Sequence, residues 1–149
     1  MNQKLLDRIV HTLHEDAWNY SVFLKVYQVQ HALPVDSLTI IRSALGTESG
    51  PEIVDTDIQA EEVWSDIESA LLYEESDGAA GPSHSVLGSP ALAEMLAELK
   101  EEVITLANRA TMIERFELEK HPAYPVFWDF AFLFREEGEA SLFIGSSSD

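Results

Sequence analysis

Residues 126–135 (VFWDFAFLFR) constrain the fold of this chain more than any other stretch. They are aromatic and β-favouring. With side chains alternating along a strand, Val126, Trp128, Phe130, Phe132 and Phe134 share one face. Phe127, Ala131 and Leu133 share the other, with Asp129 among them. Glu136, Glu137, Gly138 and Glu139 follow as a tight turn, with Gly138 supplying positive φ. Residues 140–145 then read as the return strand. A two-residue loop at Glu137 and Gly138 pairs Phe132 with Phe143 and Leu133 with Leu142. A lone hairpin is marginal in water, and both faces of this one are apolar. Helices must therefore cover at least one face. A third strand from residues 20–30, or direct helix packing on the pair, completes the layer.

The remaining apolar periodicities are mostly helical. Leu6, Ile9, Val10, Leu13 and Ala17 recur at one-face spacing over residues 3–17. Residues 18–33 fit either period and are read as helix. Pro34 suits a helix start, and Gly46 a helix end, over residues 34–45. Residues 47–54 read as a loop broken at Gly50 and Pro51. Thr56 and Gln59 match a capping box for a helix from Asp57 to about Tyr73. Ser89 and Pro90 open the longest helix, about residues 90–119. Leu92, Leu96, Leu99, Val103, Leu106, Ala110 and Ile113 form an apolar seam along it. That seam reads as a core helix, with a dimer interface as the alternative. The expected architecture is α+β and mainly helical: amphipathic helices around this central helix plus the C-terminal hairpin. At 149 residues the chain reads as a single domain. Residues 75–89, rich in Gly, Ser and Ala, read as a flexible loop within it.

Charge is where composition matters. The formal net charge is -18, from 27 acids against 9 Lys and Arg. Residues 1–42 are neutral overall. Residues 43–99 carry thirteen acids and no Lys or Arg. In the helix expected from Asp57 to Tyr73, Val63, Trp64, Ile67, Ala70 and Leu71 share one arc. Burying that arc turns Glu61, Glu62, Asp66 and Glu68 outward. Glu74, Glu75 and Asp77 continue the block. Tyr73, at the edge of the acidic arc, reads as an exposed binding aromatic, since Tyr and Trp are enriched at interface hot spots. Asp129 is the one acid inside an apolar run and is a secondary candidate. Such a charge excess disfavours binding nucleic acid, whose recognition needs Lys and Arg. It equally disfavours anionic membrane surfaces.

No arrangement points to catalysis. The chain has no cysteine, which excludes thiolate chemistry and Cys-ligated metals and fits a reducing compartment. The default compartment is the cytoplasm, because no apolar run resembles a signal peptide or a bilayer span. His11, His14 and Glu15 lack the order of a zinc protease and read as a polar face. Ser83, His84 and Ser85 lack a nucleophile elbow. No catalytic residue, metal or cofactor is expected.

In general character the chain is similar to bacterial immunity proteins: small, acidic, Cys-free and without a catalytic motif. That resemblance of type implies a non-enzymatic, cytosolic inhibitor acting as monomer or homodimer. Its acidic patch in residues 43–99 would cover a basic protein partner, such as a nuclease-type toxin. A dimeric secretion chaperone, a DNA-mimic protein of the anti-restriction or anti-CRISPR type, and an unrecognised enzyme are the alternatives.

Overall fold

The computed structural model describes residues 1–32 and 34–149. Among these residues the α-helices and strands are, in order, α1 (Gln3–His14), β1 (Ser21–Gln30), α2 (Ser37–Leu45), β2 (Pro51–Thr56), α3 (Ala60–Leu71), α4 (His84–Leu87), α5 (Pro90–Arg109), β3 (Met112–Leu118), β4 (Trp128–Arg135) and β5 (Glu139–Ser148), with a 3-10 turn at Thr47–Ser49. The strands form one antiparallel sheet in the order β1-β5-β4-β3-β2. The mainly helical expectation is therefore overturned: the C-terminal hairpin is the middle of a five-stranded sheet.

The hairpin itself has the register its turn requires. Phe132 pairs with Phe143 and Leu133 with Leu142. Both faces are covered. On one, Phe130, Phe132, Phe134 and Phe143 pack under α1, α3 and α5. On the other, Ala131, Leu133, Leu142 and Ile144 pack under Ile40 and Ile41 of α2. Gly145 makes one close approach possible. A Cβ there would lie 2.6 Å from Cε1 of Phe130 and 2.9 Å from Cδ2 of Leu24.

Three segments depart from the sequence expectation, all towards strand. Residues 21–30 are β1 rather than helix, paired along their whole length with β5 from Ser21 and Ser148 to Gln30 and Glu139. Position 33 of that span lies outside the described residues. Val22 and Leu24 alternate into the larger core while Phe23 and Tyr27 face the other side. A short apolar run reads equally as either period, and a long cross-strand partner decides it. Residues 51–56, expected as loop, are the edge strand β2, which begins where Gly50 adopts φ 58°. The long helix ends at Arg109 rather than near 119, because Ala110 is extended and Ile113 and Phe116 enter β3. Ile113 satisfies both the heptad and the strand alternation, so it extends the apparent seam. The seam's leucines and Val103 are buried inside this chain rather than presented for a dimer. The helix packs between α1 and α3, as the middle helix of the layer on one face of the sheet.

Both sheet edges are guarded. The Gln3 side chain accepts from Val26 N–H at 3.1 Å and donates to the Leu24 carbonyl at 3.1 Å, and His14 Nε2 accepts from Val22 N–H at 2.8 Å. Side chains of α1 thus occupy main-chain groups of β1 that an added strand would use. Edge strand β2 instead carries Pro51, a register shift between Ile53 and Asp55, and exposed acids.

Candidate functional site: an acidic ridge between two grooves

Helix α3 builds the ridge. It starts three residues later than expected, because Asp57 takes a left-handed φ of 54° and Thr56 ends β2. The capping box is Gln59 with Glu62, which accepts from the Gln59 N–H at 3.5 Å. Val63, Trp64, Ile67, Ala70 and Leu71 are buried, and Glu61, Glu62, Asp66 and Glu68 are exposed.

The four acids do not act alike. Asp66 leans towards the sheet and pairs with Arg115 of β3, whose guanidinium also reaches Asp55 at 3.4 Å and lies 5.5 Å from the Phe132 ring centroid. Glu62 serves the helix cap. Glu68 leans the other way, towards α5. Glu61 borders a hollow at the C-terminal end of α5. Neither Glu61 nor Glu68 has a cationic partner among the described residues.

The sheet side of the ridge is a cleft of about 360 Å³ where β3 and β4 part company. Their pairing stops at Arg115 and Phe132. Beyond it, β3 follows β2, and the gap is bordered by Asp66, Tyr73, Arg115, Glu117, Trp128 and Asp129. Three of the residues proposed from sequence, Asp66, Tyr73 and Asp129, meet here. Asp129 is exposed on β4, opposite Ser146. Tyr73 is half-buried rather than displayed. It stacks with Phe127 (5.7 Å between centroids) and Tyr20 (6.3 Å), and Trp128 Nε1–H donates to the Tyr20 hydroxyl at 2.8 Å. Burial pushes the Tyr20 hydroxyl up to about 12. Burial, then the nearby carboxylates of Glu75 and Asp77, also raise Tyr73. The large exposed aromatics are Trp18 and Tyr124 instead.

The other side of the ridge is a groove of about 330 Å³ between α3 and α5. Trp64, Leu72, Leu87, Leu92 and Leu96 line it with the methyls of Ala93 and Ala97, and Glu68 and Lys100 stand at its rim. Sequence reading of the acidic arc passed over it. Its signals were Trp64, Glu68 and Leu72 at i, i+4 and i+8 on one helix and the small pair Ala93 and Ala97 on the other.

The rest of the acidic block lies elsewhere. Glu74 contacts His84 Nδ1 at 2.7 Å, and Asp77 and Glu75 sit in the connector. Residues 75–89 hold α4, bury Ala80 and Val86, and join Trp18 to Gly81 by two main-chain hydrogen bonds. The Lys and Arg that pair with block acids all come from outside the block: Arg8 with Glu98, Arg115 with Asp55 and Asp66, and Lys120 with Glu48. His14 spends Nε2 on β1, so it and His11 are not poised as a metal pair. No helix is long and apolar enough to cross a membrane among the described residues. Comparison with protein-family models, with curated proteins and with solved structures finds no match to this chain.

Proposed function

We propose that this chain is a non-enzymatic acidic binding module, a cytosolic inhibitor of the immunity type that covers the basic surface of a protein partner such as a nuclease-type toxin. The observation that carries the reading is the set of exposed, unpaired carboxylates along α3 and β2. Glu52, Asp57, Glu61, Glu62 and Glu68 are exposed and make no ion pair among the described residues. Carboxylates held together without counter-charges cost stability through mutual repulsion, and they create a field that speeds encounter with a cationic surface. Nucleic-acid enzymes present such surfaces because they must bind phosphate.

The test uses Glu61→Lys with Glu68→Lys, which spares the cap residue Glu62 and the Arg115 partner Asp66. A basic protein that co-purifies at low ionic strength should associate about tenfold more slowly with the double variant. Added salt should slow association with the native chain in the same way. Helix content by circular dichroism should be unchanged. Association indifferent both to salt and to the double variant would refute the reading.

A further inference from the structure

The groove between α3 and α5 has a chemistry that the acidic-inhibitor reading alone does not require. Its floor is apolar and its margins are charged. On α3 the margin is Glu68, and helical geometry places Glu61 two turns before it on the same side, where it borders the neighbouring hollow. On α5, helical geometry places Glu94 and Glu101 one step outward of Ala93 and Ala97. All four are exposed, and none is paired with Lys, Arg or His among the described residues. An apolar channel between two rows of free carboxylates is complementary to one kind of surface: an amphipathic helix with an apolar ridge and cationic flanks.

Two further groups give the channel a direction. Trp64 is only 5% exposed, yet its indole N–H has no acceptor. Lys100 Nζ lies 6.0 Å from the centroid of the same ring and has no carboxylate partner among the described residues. Trp64 and Lys100 stand together at one end of the groove, and Leu72, Leu87 and Leu92 mark the other. A buried donor without an acceptor is costly. The C-terminal turn of a helix carries unsatisfied carbonyls and the negative end of its dipole.

We infer that this groove is the docking site for an amphipathic basic helix of the partner, lying with its C-terminal turn over Trp64 and Lys100. The groove runs from Leu72 to Trp64 along α3, eight residues, or about 12 Å at the α-helical rise. That length admits about two turns, hence apolar anchors at i, i+3 or i+4, and i+7. Small Ala93 and Ala97 let the visiting helix approach closely. The inference rests on the acidic-inhibitor reading and adds the surface and the shape of the partner to it.

The experiment uses the full chain and two synthetic Leu/Lys peptides of about 16 residues, long enough to fold on binding. One has its leucines on a single helical face. The other has the same composition in permuted order, with no apolar face. The amphipathic peptide should bind about tenfold more tightly, the preference expected from burying apolar anchors. Saturation should shift the Trp64 indole N–H resonance, identified by its loss in Trp64→Phe. Ala97→Arg should abolish the preference. Ala97 is exposed on a helix, and Leu72→Gln gives a second, independent obstruction at the other end. Equal affinity for the two peptides, with both weakened by Glu61→Lys and Glu68→Lys, would overturn the groove and leave the acidic surface standing. Saturable binding with Trp64 unmoved would also overturn it. Failure of both peptides to bind at low salt would bring down both readings.

Discussion

Replacing Gly145 by alanine probes the packing that holds the sheet centre together. Its φ is not in the left-handed region, so the substitution meets no backbone penalty there. What it meets is crowding. The added Cβ would lie 2.6 Å from Phe130 Cε1 and 2.9 Å from Leu24 Cδ2, against a comfortable carbon–carbon contact of about 3.5–4.0 Å. Something must give by close to an ångström. The Phe130 ring has little freedom, being held edge-on against Phe143 at 5.0 Å between centroids and stacked with Trp128 at 5.9 Å. Leu24 is also buried. Overpacking of this kind costs about 1–3 kcal/mol. The lower entropy of unfolded alanine relative to glycine returns about 0.5–1 kcal/mol. The net is a loss centred on about 1 kcal/mol and reaching about 2.5, or a Tm lower by about 3 °C and up to about 7 °C for a chain of this size. Urea unfolding followed by tryptophan fluorescence measures it. Phe130→Leu should recover part of the loss in the double variant, because the two sites share one contact. Gly138→Ala is the contrast: φ is +77° with nothing within 4 Å of a Cβ, so its cost is conformational and Phe130→Leu should not relieve it. Unchanged stability of Gly145→Ala, or strictly additive losses with Phe130→Leu, would refute the crowding argument.

Glu114 is buried on β3, accepts a hydrogen bond from the Ser37 hydroxyl, and Arg135 donates to the same hydroxyl at 3.1 Å and to the Val35 carbonyl. Glu114→Ala strips this network of its negative member and should cost about 2–4 kcal/mol in chemical denaturation, whereas Glu114→Gln, which keeps an acceptor, should cost visibly less. Burial holds the His121 imidazole below its ordinary 6.5, and burial followed by His11 does the same for His14. Each ring nitrogen that accepts, from Ala123 N–H at 3.0 Å and from Val22 N–H at 2.8 Å, must be unprotonated to do so. The unfolded chain therefore binds more protons than the folded one below about pH 6.5, and stability present above that value is lost as pH falls towards the folded pKa values. Thermal melts between about pH 7.5 and 5.5 should show this slope, above the window in which most carboxylates titrate. The His14→Gln, His121→Gln double variant should flatten it, and an undiminished slope would count against the assignment.

The parts of the fold legible in the sequence were those set by neighbours along the chain. Ser89 and Pro90 begin α5 because cap and first-turn chemistry act within four residues. Gly138 sets the hairpin register because a two-residue loop allows one pairing. The outward turn of Glu61, Glu62, Asp66 and Glu68 follows from the buried arc of α3. Residues 21–30, which fit either period, and residues 112–118, which fit a helix, owe their strand character to partners far along the chain. Ten residues of β1 pair with β5, more than a hundred positions away. Ile113 fits a helical seam until β4 and β2 close on either side of β3.

The candidate site divides along the same line. By itself the sequence determined that negative charge is concentrated in residues 43–99 and that α3 must turn four of its acids to water, since both follow from composition and from the 3.6-residue period. Only the tertiary structure decided what each acid faces. Arg115, sixty positions from Asp55, draws Asp55 and Asp66 into an internal pair because β3 lies beside β2 and under α3. Packing α3 against α5 leaves Glu68 unpaired beside an apolar groove, and the chain after α3 folds Tyr73 into a stack with Tyr20 and Phe127. Which charges are neutralised and which remain free is a matter of through-space distance, and the order of residues along a chain does not contain it.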